Sequence, residues 1–293
     1  KNGIATITTA NITVSVNAPG NVPTLHFQTA SDLNYNVMFK QLLEYEDLNE
    51  DGAFQYNETI EGVPMVALSS IQWLFSGFVT DEVDGVIQAI HFNFTSDEVV
   101  GMISPDLEVN LAMHLYLADQ VIDGYELLGG AEFKFDLYIS GWDWARADTL
   151  LVLRFDITPG EGYEIKNQHN QTVDTTINTT NEEEKVTPVA NEIKQRFVIE
   201  NDENGAFFGY ANQSRIMNEA QESYGCVNAS ISTTGDGSMQ LFLSFEQFDE
   251  LYYDPSLGTD DSGDDSDSVS ASLVALITLP IVAVAVLTLR KRN

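Results

Sequence analysis

Cysteine is almost absent from this chain: Cys226 is the only one in 293 residues. A lone cysteine excludes an internal disulfide, so the fold is not a small scaffold held together by disulfides. We expect Cys226 to be a small buried apolar residue, with a bridge between two chains as the alternative.

Basic residues are also scarce, with 13 lysines and arginines against 45 aspartates and glutamates, and the net charge is −32. Such a surface repels nucleic acid and anionic membranes, so we expect no nucleic-acid partner. It attracts divalent cations and basic proteins instead. A second interpretation is that the acidity keeps the protein soluble in a salty habitat.

Sequence motifs of catalysis are missing as well. The chain has no G-x-S-x-G, no H-E-x-x-H, no P-loop and no glycine-rich dinucleotide fingerprint. The histidines lie far apart without the spacing of metal ligands, at His26, His91, His114 and His169. Carboxylate pairs are too frequent here to mark a glycosidase, which needs two carboxylates at a fixed separation. We therefore expect that the protein is not an enzyme.

The end of the chain holds its longest apolar run. Residues 271–289 are uncharged and, as a helix, would be about 28 Å long, close to the ~30 Å apolar core of a bilayer. They follow an acidic stalk at 258–270 and precede a basic tail at 290–293. The pattern predicts one transmembrane helix in the cell membrane, with an extracellular ectodomain and a cytoplasmic C-terminus. The alternatives are a buried core helix and a sorting signal that is later cleaved.

Signs of secretion agree with this anchor. The sequence begins at Lys1 and not at a methionine, from which we expect that a secretory signal has been removed. Seven Asn-x-Ser/Thr sequons predict an N-glycosylated surface protein. They lie at Asn11, Asn57, Asn93, Asn170, Asn178, Asn212 and Asn228.

Apolar and polar residues alternate with a period of two through most of residues 1–257. Ile12, Val14 and Val16 alternate with Thr and Ser, and the run 133–139 places Phe, Phe, Leu and Ile on one face. Many such short runs with little helical pattern predict an all-β fold. We expect an antiparallel β-sandwich ectodomain of one large lobe or two smaller lobes.

The composition also indicates where this ectodomain divides. Residues 161–192 are polar and poor in aromatics, which predicts a long loop or a linker. A β-sandwich lobe is expected at 1–160, and the remaining strands or a second lobe at 193–257. Within these ranges we expect a short strand around 54–56 and a short helix between 213 and 224.

The clearest local motif is the segment 47–58, which matches the calcium-loop pattern D-x-[DN]-x-[DN]-G-x5-E in full. Such a loop offers a hard cation oxygen ligands, here from Asp47, Asn49, Asp51, the Ala53 carbonyl, Gln55 and Glu58. The following Thr-Ile-Glu-Gly-Val-Pro cannot start a good helix, so we expect a calcium loop between strands and not a helix–loop–helix hand. The alternative is a hairpin turn at Asp51-Gly52, because a similar segment at 202–210 has the pattern of a hairpin.

Two of the three tryptophans lie close together, at Trp142 and Trp144. Exposed indole rings can stack on sugars, so this pair is a candidate for glycan binding. Trp73 could stack in the same way. The alternative for all three side chains is that they fill the core or an edge of the sandwich.

Three stretches of the sequence form a combined pattern. They are Leu43-Glu-Tyr-Glu-Asp-Leu-Asn-Glu-Asp-Gly52, Phe133-Lys-Phe-Asp-Leu-Tyr-Ile-Ser-Gly-Trp-Asp-Trp144 and Tyr253-Asp-Pro-Ser-Leu-Gly258. This pattern resembles a family of uncharacterised archaeal cell-surface proteins, which share an acidic Asp/Asn-Gly turn, a strand that ends at tryptophan and a closing Asp-Pro motif. The resemblance implies secretion to an archaeal envelope. It implies no activity and no catalytic residues.

Together these features predict a membrane-anchored surface protein with a structural, assembly or adhesive role. Its partners would be the membrane, further copies of itself or other envelope proteins, with calcium as a structural ion. The alternative is an extracellular glycan-binding protein or glycan hydrolase that uses Trp142 and Trp144.

Overall fold

The computed structural model describes residues 3–18, 23–29, 34–99, 104, 106–122, 125–127, 129–159, 194–200, 205–233, 238–260 and 276–278. These residues are mostly in strands, with two single 3-10 turns at Tyr56–Glu58 and Leu68–Ser70 and no α-helix among them. All the strand pairings are antiparallel. The prediction of an antiparallel all-β fold is therefore confirmed.

The strands divide the chain as follows. The first ten are β1 (Gly3–Thr8), β2 (Ile12–Ala18), β3 (Thr24–Thr29), β4 (Asn34–Tyr45), β5 (Met65–Ala67), β6 (Ile71–Phe75), β7 (Val79–Val83), β8 (Val86–Val99), β9 (Glu108–Tyr116) and β10 (Gln120–Ile122). Then come β11 (Tyr125–Leu127), β12 (Glu132–Ser140), β13 (Leu150–Pro159), β14 (Lys194–Glu200), β15 (Gly205–Ala211), β16 (Gln213–Asn218), β17 (Gln221–Thr233), β18 (Met239–Phe245), β19 (Glu250–Tyr253), β20 (Ser256–Asp260) and β21 (Leu276–Thr278).

The strands form two layers that share β17. The first layer runs β1-β2-β3-β4-β13-β18 and ends on the C-terminal half of β17. In the second layer β8, β9 and β12 lie side by side, and β12 continues to β19 and β20. The N-terminal half of β17 belongs to this layer, where it pairs with β16. One long strand thus crosses from one layer to the other.

Phenylalanine side chains fill the space between the layers. Phe39 of β4 meets Phe135 of β12 at a ring-centre distance of 5.6 Å, and Phe155 of β13 meets Phe208 of β15 at 5.5 Å. These contacts form because alternate residues of each strand turn inward, as the strict burial pattern of β9 shows. The other residues of the strands face outward, where polar side chains can interact with each other and with solvent.

The two ranges that the composition separates, 1–160 and 193–257, share strand pairings and a core. β13 pairs with β18 from Leu151↔Phe245 to Ile157↔Met239. β12 pairs with both β19 and β20. Buried residues from Ile7 to Leu257 belong to one hydrophobic cluster.

Two local predictions of secondary structure are wrong. The range 213–224 holds no helix but a hairpin of β16 and β17, which turns at Glu219 and Ala220 with positive φ angles of 49° and 62°. The range 54–56 holds no strand, because Phe54 turns into the core and a 3-10 turn follows it.

The C-terminal predictions meet only a few described residues. Gly258, where the acidic stalk was predicted to begin, pairs with Glu132 in the second layer. Leu276–Thr278 form β21, which pairs with Thr6–Thr8 of β1. The rest of the predicted span at 271–289, the tail at 290–293 and the linker at 161–192 lie outside the described residues. No helix in the described part of the chain is long and apolar enough to cross a membrane.

Candidate functional site

The motif at 47–58 lies in a long connection on the edge of the first layer. β4 ends at Tyr45, and β5 pairs back onto it with Leu43 opposite Met65. The residues between these strands are far too many for a two-residue hairpin, so the turn at Asp51-Gly52 is not the hairpin of the alternative interpretation. The segment instead forms a long loop that is closed by its own hydrogen bonds.

Asp47 closes the first half of this loop. Its carboxylate accepts hydrogen bonds from the backbone N–H of Asp51 at 3.2 Å and of Gly52 at 2.7 Å. The backbone at Gly52 has a φ of +73°, which favours glycine, and the Asn228 amide occupies the space that a Cβ there would take. Glycine is thus required at the sixth position of the motif for two reasons, the backbone conformation and the lack of space for a Cβ.

Asp51 is the centre of the loop. One of its carboxylate oxygens, Oδ1, accepts the N–H of Ala53 at 2.8 Å. The other, Oδ2, accepts two side-chain amides, from Asn49 at 2.8 Å and from Gln55 at 3.1 Å. The third, fifth and ninth positions of the motif therefore meet at one exposed oxygen.

Glu58 stabilises the loop from its buried side. Its side chain is buried, with 2% of the residue exposed. One carboxylate oxygen accepts the N–H of Leu48 at 3.2 Å and the other accepts the N–H of Gln55 at 2.9 Å. A buried carboxylate that binds two backbone groups fixes the distance between the two ends of the loop.

The loop is anchored in the first layer by aromatic side chains. Phe54 packs among Tyr45, Phe242 and Val152 in a small second core. The Tyr45 hydroxyl donates to the Gly52 carbonyl at 3.0 Å, and the Phe54 N–H donates to the Ser244 hydroxyl at 3.2 Å. The motif is therefore held on a rigid support.

An open cavity of about 300 Å³ lies beside the loop. Its wall includes the acidic residues Asp47, Glu50, Asp51 and Glu246, together with Cys226. Cys226 is exposed, so the expectation of a buried cysteine is wrong. Its partial burial and the nearby Glu246 raise the pKa of the thiol, which keeps it protonated and of low reactivity.

In the described residues, no three His, Cys, Asp or Glu side chains converge as metal ligands. The loop brings the predicted calcium residues Asp47, Asn49, Asp51, Gln55 and Glu58 into one hydrogen-bonded unit, in which Ala53 takes part through its backbone N–H. Calcium binding there stays a prediction.

The predicted stacking residues differ in exposure. Trp142 is buried, with 6% of its surface exposed, and so offers no open ring face to a sugar. Trp144 is half-buried, packs edge-on against Phe248 and donates from Nε1 to the Phe248 carbonyl at 3.0 Å. Only Trp144 keeps part of an indole ring at the surface.

Residues 141–149, between β12 and β13, form a loop that carries both tryptophans and is called here the tryptophan loop. A buried carboxylate that was not predicted from the sequence orders this loop. Glu44 at the end of β4 has 0% exposure. Its oxygens accept the backbone N–H groups of Ala145 at 3.0 Å and Arg146 at 3.2 Å, and the hydroxyl of Thr149 at 2.6 Å. The Trp142 Nε1 lies 3.4 Å away as a fourth donor. Its position in the apolar run Leu42–Tyr45 was the signal of burial.

A pair of histidines was also missed. His91 and His114 are 23 residues apart in sequence but face each other across β8 and β9. Both stand at polar positions of alternating strands, so their common face was readable from the sequence. Their neighbourhood was not, because it depends on the register of the two strands.

The sequons lie in different environments, and this predicts which are glycosylated. Asn11 and Asn57 are exposed, whereas the Asn228 amide packs against Gly52 of the loop. We expect glycopeptide mass spectrometry of the full chain, made in a host that glycosylates asparagine, to find glycan on Asn11 and Asn57 and none on Asn228. Glycan on most copies of Asn228 would contradict this packing.

The remaining sequons give no such contrast. Asn93 and Asn212 are half-buried, on β8 and between β15 and β16. Asn170 and Asn178 lie outside the described residues.

No protein-family model matches the chain, and no curated protein is significantly similar to it.

Proposed function

We propose that this chain is a membrane-anchored, extracellular β-sandwich protein with a structural or adhesive role, stiffened by calcium at residues 47–58. The observation that carries the proposal is the convergence of Asn49 and Gln55 on one oxygen of Asp51. A carboxylate met by two amides at the surface is a place where a cation can replace hydrogen-bond donors.

The amides can make that exchange without moving the backbone. A carboxamide carries a donor and an acceptor of nearly equal size, so a half-turn of its terminal bond exchanges them. After such a turn Asn49 and Gln55 would present oxygens beside the Asp51 carboxylate. Hard cations such as calcium take six to eight oxygen ligands in flexible geometry, and the nearby Asp47 and water can supply others.

The net charge of −32 supports the role of a cation in assembly. Copies of such an acidic chain repel each other at low salt. A divalent ion bound at an exposed loop lowers this repulsion locally and orders the surface that would meet a neighbour. The anchor at 271–289 and an archaeal envelope are proposed from the sequence pattern alone.

Self-association is the test of this role. We expect the full chain, in sedimentation experiments at fixed ionic strength, to form larger species in millimolar calcium, and the Asp51→Asn variant to lose most of that response. Asp148→Asn, which removes an exposed carboxylate that pairs with Arg146, is the matched control and should respond like the wild type.

Two outcomes would contradict the proposal. Equal association in magnesium and calcium would indicate charge screening and not a calcium site. Association unchanged in Asp51→Asn would place the effect elsewhere on the acidic surface. Binding to a glycan array that is lost in Trp144→Ala would favour the glycan-binding alternative.

A further inference from the structure

Two histidine rings meet on the outer face of the second layer. His91 of β8 and His114 of β9 are direct cross-strand partners. Their Nδ1 atoms lie 2.7 Å apart, and the rings are inclined at 64° with centres 4.9 Å apart. Both side chains are about four-fifths buried, with 22% and 19% exposed.

The outer nitrogens of the two rings face carboxylates. His91 Nε2 lies 3.0 Å from Asp81 Oδ2, in hydrogen-bond geometry. His114 Nε2 lies 3.2 Å from Asp136 Oδ2, close enough for an ion pair but too oblique for a hydrogen bond. A histidine that ligates a metal through one ring nitrogen usually turns the other toward a carboxylate in this way.

The two Nδ1 atoms face each other across a short distance. If each Nε2 carries the proton that faces its aspartate, each neutral ring presents a bare Nδ1, and two lone pairs then meet at 2.7 Å. Two lone pairs so close repel unless a proton joins the rings in a hydrogen bond or a metal ion binds both nitrogens. A metal ion placed there would complete two carboxylate–histidine–metal arrays that share one metal.

The surrounding charges favour a divalent ion. Asp81 and Asp136 lie 3.0 Å and 3.2 Å from the outer ring nitrogens of His91 and His114. Lys134, with its amino group 3.5 Å from Asp136 and 2.9 Å from Asp254, is the cation beside them. The two carboxylates that face the rings, Asp81 and Asp136, supply negative charge beside a bound cation.

The ring orientations are held by packing as well as by charge. The ring of Tyr116 lies 5.9 Å from that of His91 and 6.4 Å from that of His114, nearly parallel to the latter. The two histidines lie on neighbouring paired strands, β8 and β9. A site built on paired strands keeps its geometry better than one built on loops.

We propose that His91 and His114 form a binding site for a tetragonal divalent metal ion, Cu(II) or Ni(II), through their Nδ1 atoms. Metal–nitrogen bonds of about 2.0–2.1 Å place two ligands at a right angle about 2.9 Å apart, against about 3.3 Å in a tetrahedron. The observed 2.7 Å is nearer the right angle, which copper and nickel prefer. No third His, Cys, Asp or Glu joins the pair in the described part of the chain, so water would have to supply the other ligands.

Electron paramagnetic resonance of Cu(II) tests the site directly. We expect the full chain with one equivalent of Cu(II), in excess calcium to occupy acidic sites, to show hyperfine coupling to two nitrogen ligands. His91→Gln and His114→Gln should each remove this two-nitrogen signal. His26→Gln is the matched control, because His26 is also half-buried on a strand, and it should leave the signal unchanged.

A second variant tests the carboxylate arrays. Asp81→Asn, at an exposed position, should weaken Cu(II) binding roughly tenfold while both nitrogen ligands remain. The proposal is overturned if bound copper shows only oxygen ligands, or if the nitrogen signal survives in the variant that lacks both histidines. Because His91 and Asp81 are partly exposed, their variants keep the test valid should His114→Gln fail to fold.

Discussion

We expect Glu44→Ala to lower the free energy of unfolding by about 3–5 kcal/mol. The Glu44 side chain has 0% exposure, and its two oxygens accept hydrogen bonds from four groups of the tryptophan loop. The loss would leave the part-buried backbone N–H groups of Ala145 and Arg146 without their acceptor, while the Thr149 hydroxyl keeps only the Arg146 carbonyl. Each such orphan donor costs about 1–3 kcal/mol, and the cavity adds to this.

Denaturant unfolding of the full chain measures this effect. Glu46→Ala is the control, because Glu46 lies two residues away on the same strand end but binds the exposed Arg146 at the surface. Its midpoint should stay close to that of the wild type. Glu44→Gln should fall between the two, since the amide oxygen keeps one acceptor while the NH2 group now faces other donors.

The result would also show what the tryptophan motif is for. If Glu44→Ala matches Glu46→Ala, the hydrogen bonds that Ala145, Arg146 and Thr149 donate to Glu44 contribute little to stability, and Glu44 does not order this loop. A large loss would explain why Trp142 and Trp144 follow a strand end: they close the loop over a buried acid. That role does not require a sugar.

Alternation in the sequence was enough to predict most strands. β9 buries every second residue, and β12 does the same from Phe135 onward, so the pattern of period two is clear in both strands. The turn between β16 and β17 could not be predicted this way. It uses Glu219 and Ala220 at positive φ, where Asn-Gly is usual, so the local signal of a hairpin is absent.

What holds that turn is tertiary contact. The Asp249 carboxylate accepts the N–H of Glu219 at 2.6 Å, and the Asn218 side chain accepts the N–H of Asp249 at 2.9 Å. These residues are about 30 apart in sequence, so no local rule reveals them. The pairing of His91 with His114 is of the same kind.

The loop at 47–58 is the opposite case, since its spacing alone indicated which residues come together. Asp47 binds the N–H of Gly52 and Asn49 binds Asp51, as a closed loop of this motif requires. The sequence could not show that Glu58 would be buried, because this depends on the packing of Phe54 in the second core.

Calcium should therefore raise the thermal stability of the chain. At a hundred times the dissociation constant, a ligand bound only by the folded state adds about 2.7 kcal/mol. For a domain of this size the midpoint would rise by roughly 5–10 °C. Differential scanning calorimetry of the full chain, with calcium and with chelator at fixed ionic strength, measures the shift.

Asp51→Asn separates a calcium site from a general effect of charge. It keeps the shape and one acceptor of the side chain but removes the charge on which Asn49 and Gln55 converge. If affinity falls a hundredfold, the same calcium concentration adds only about 0.4 kcal/mol. Asp148→Asn should retain the full shift, since Asp148 pairs with Arg146 in another loop. An equal shift in both variants would mean that calcium acts on the acidic surface as a whole, and no shift in the wild type would leave residues 47–58 as a loop closed by its own hydrogen bonds.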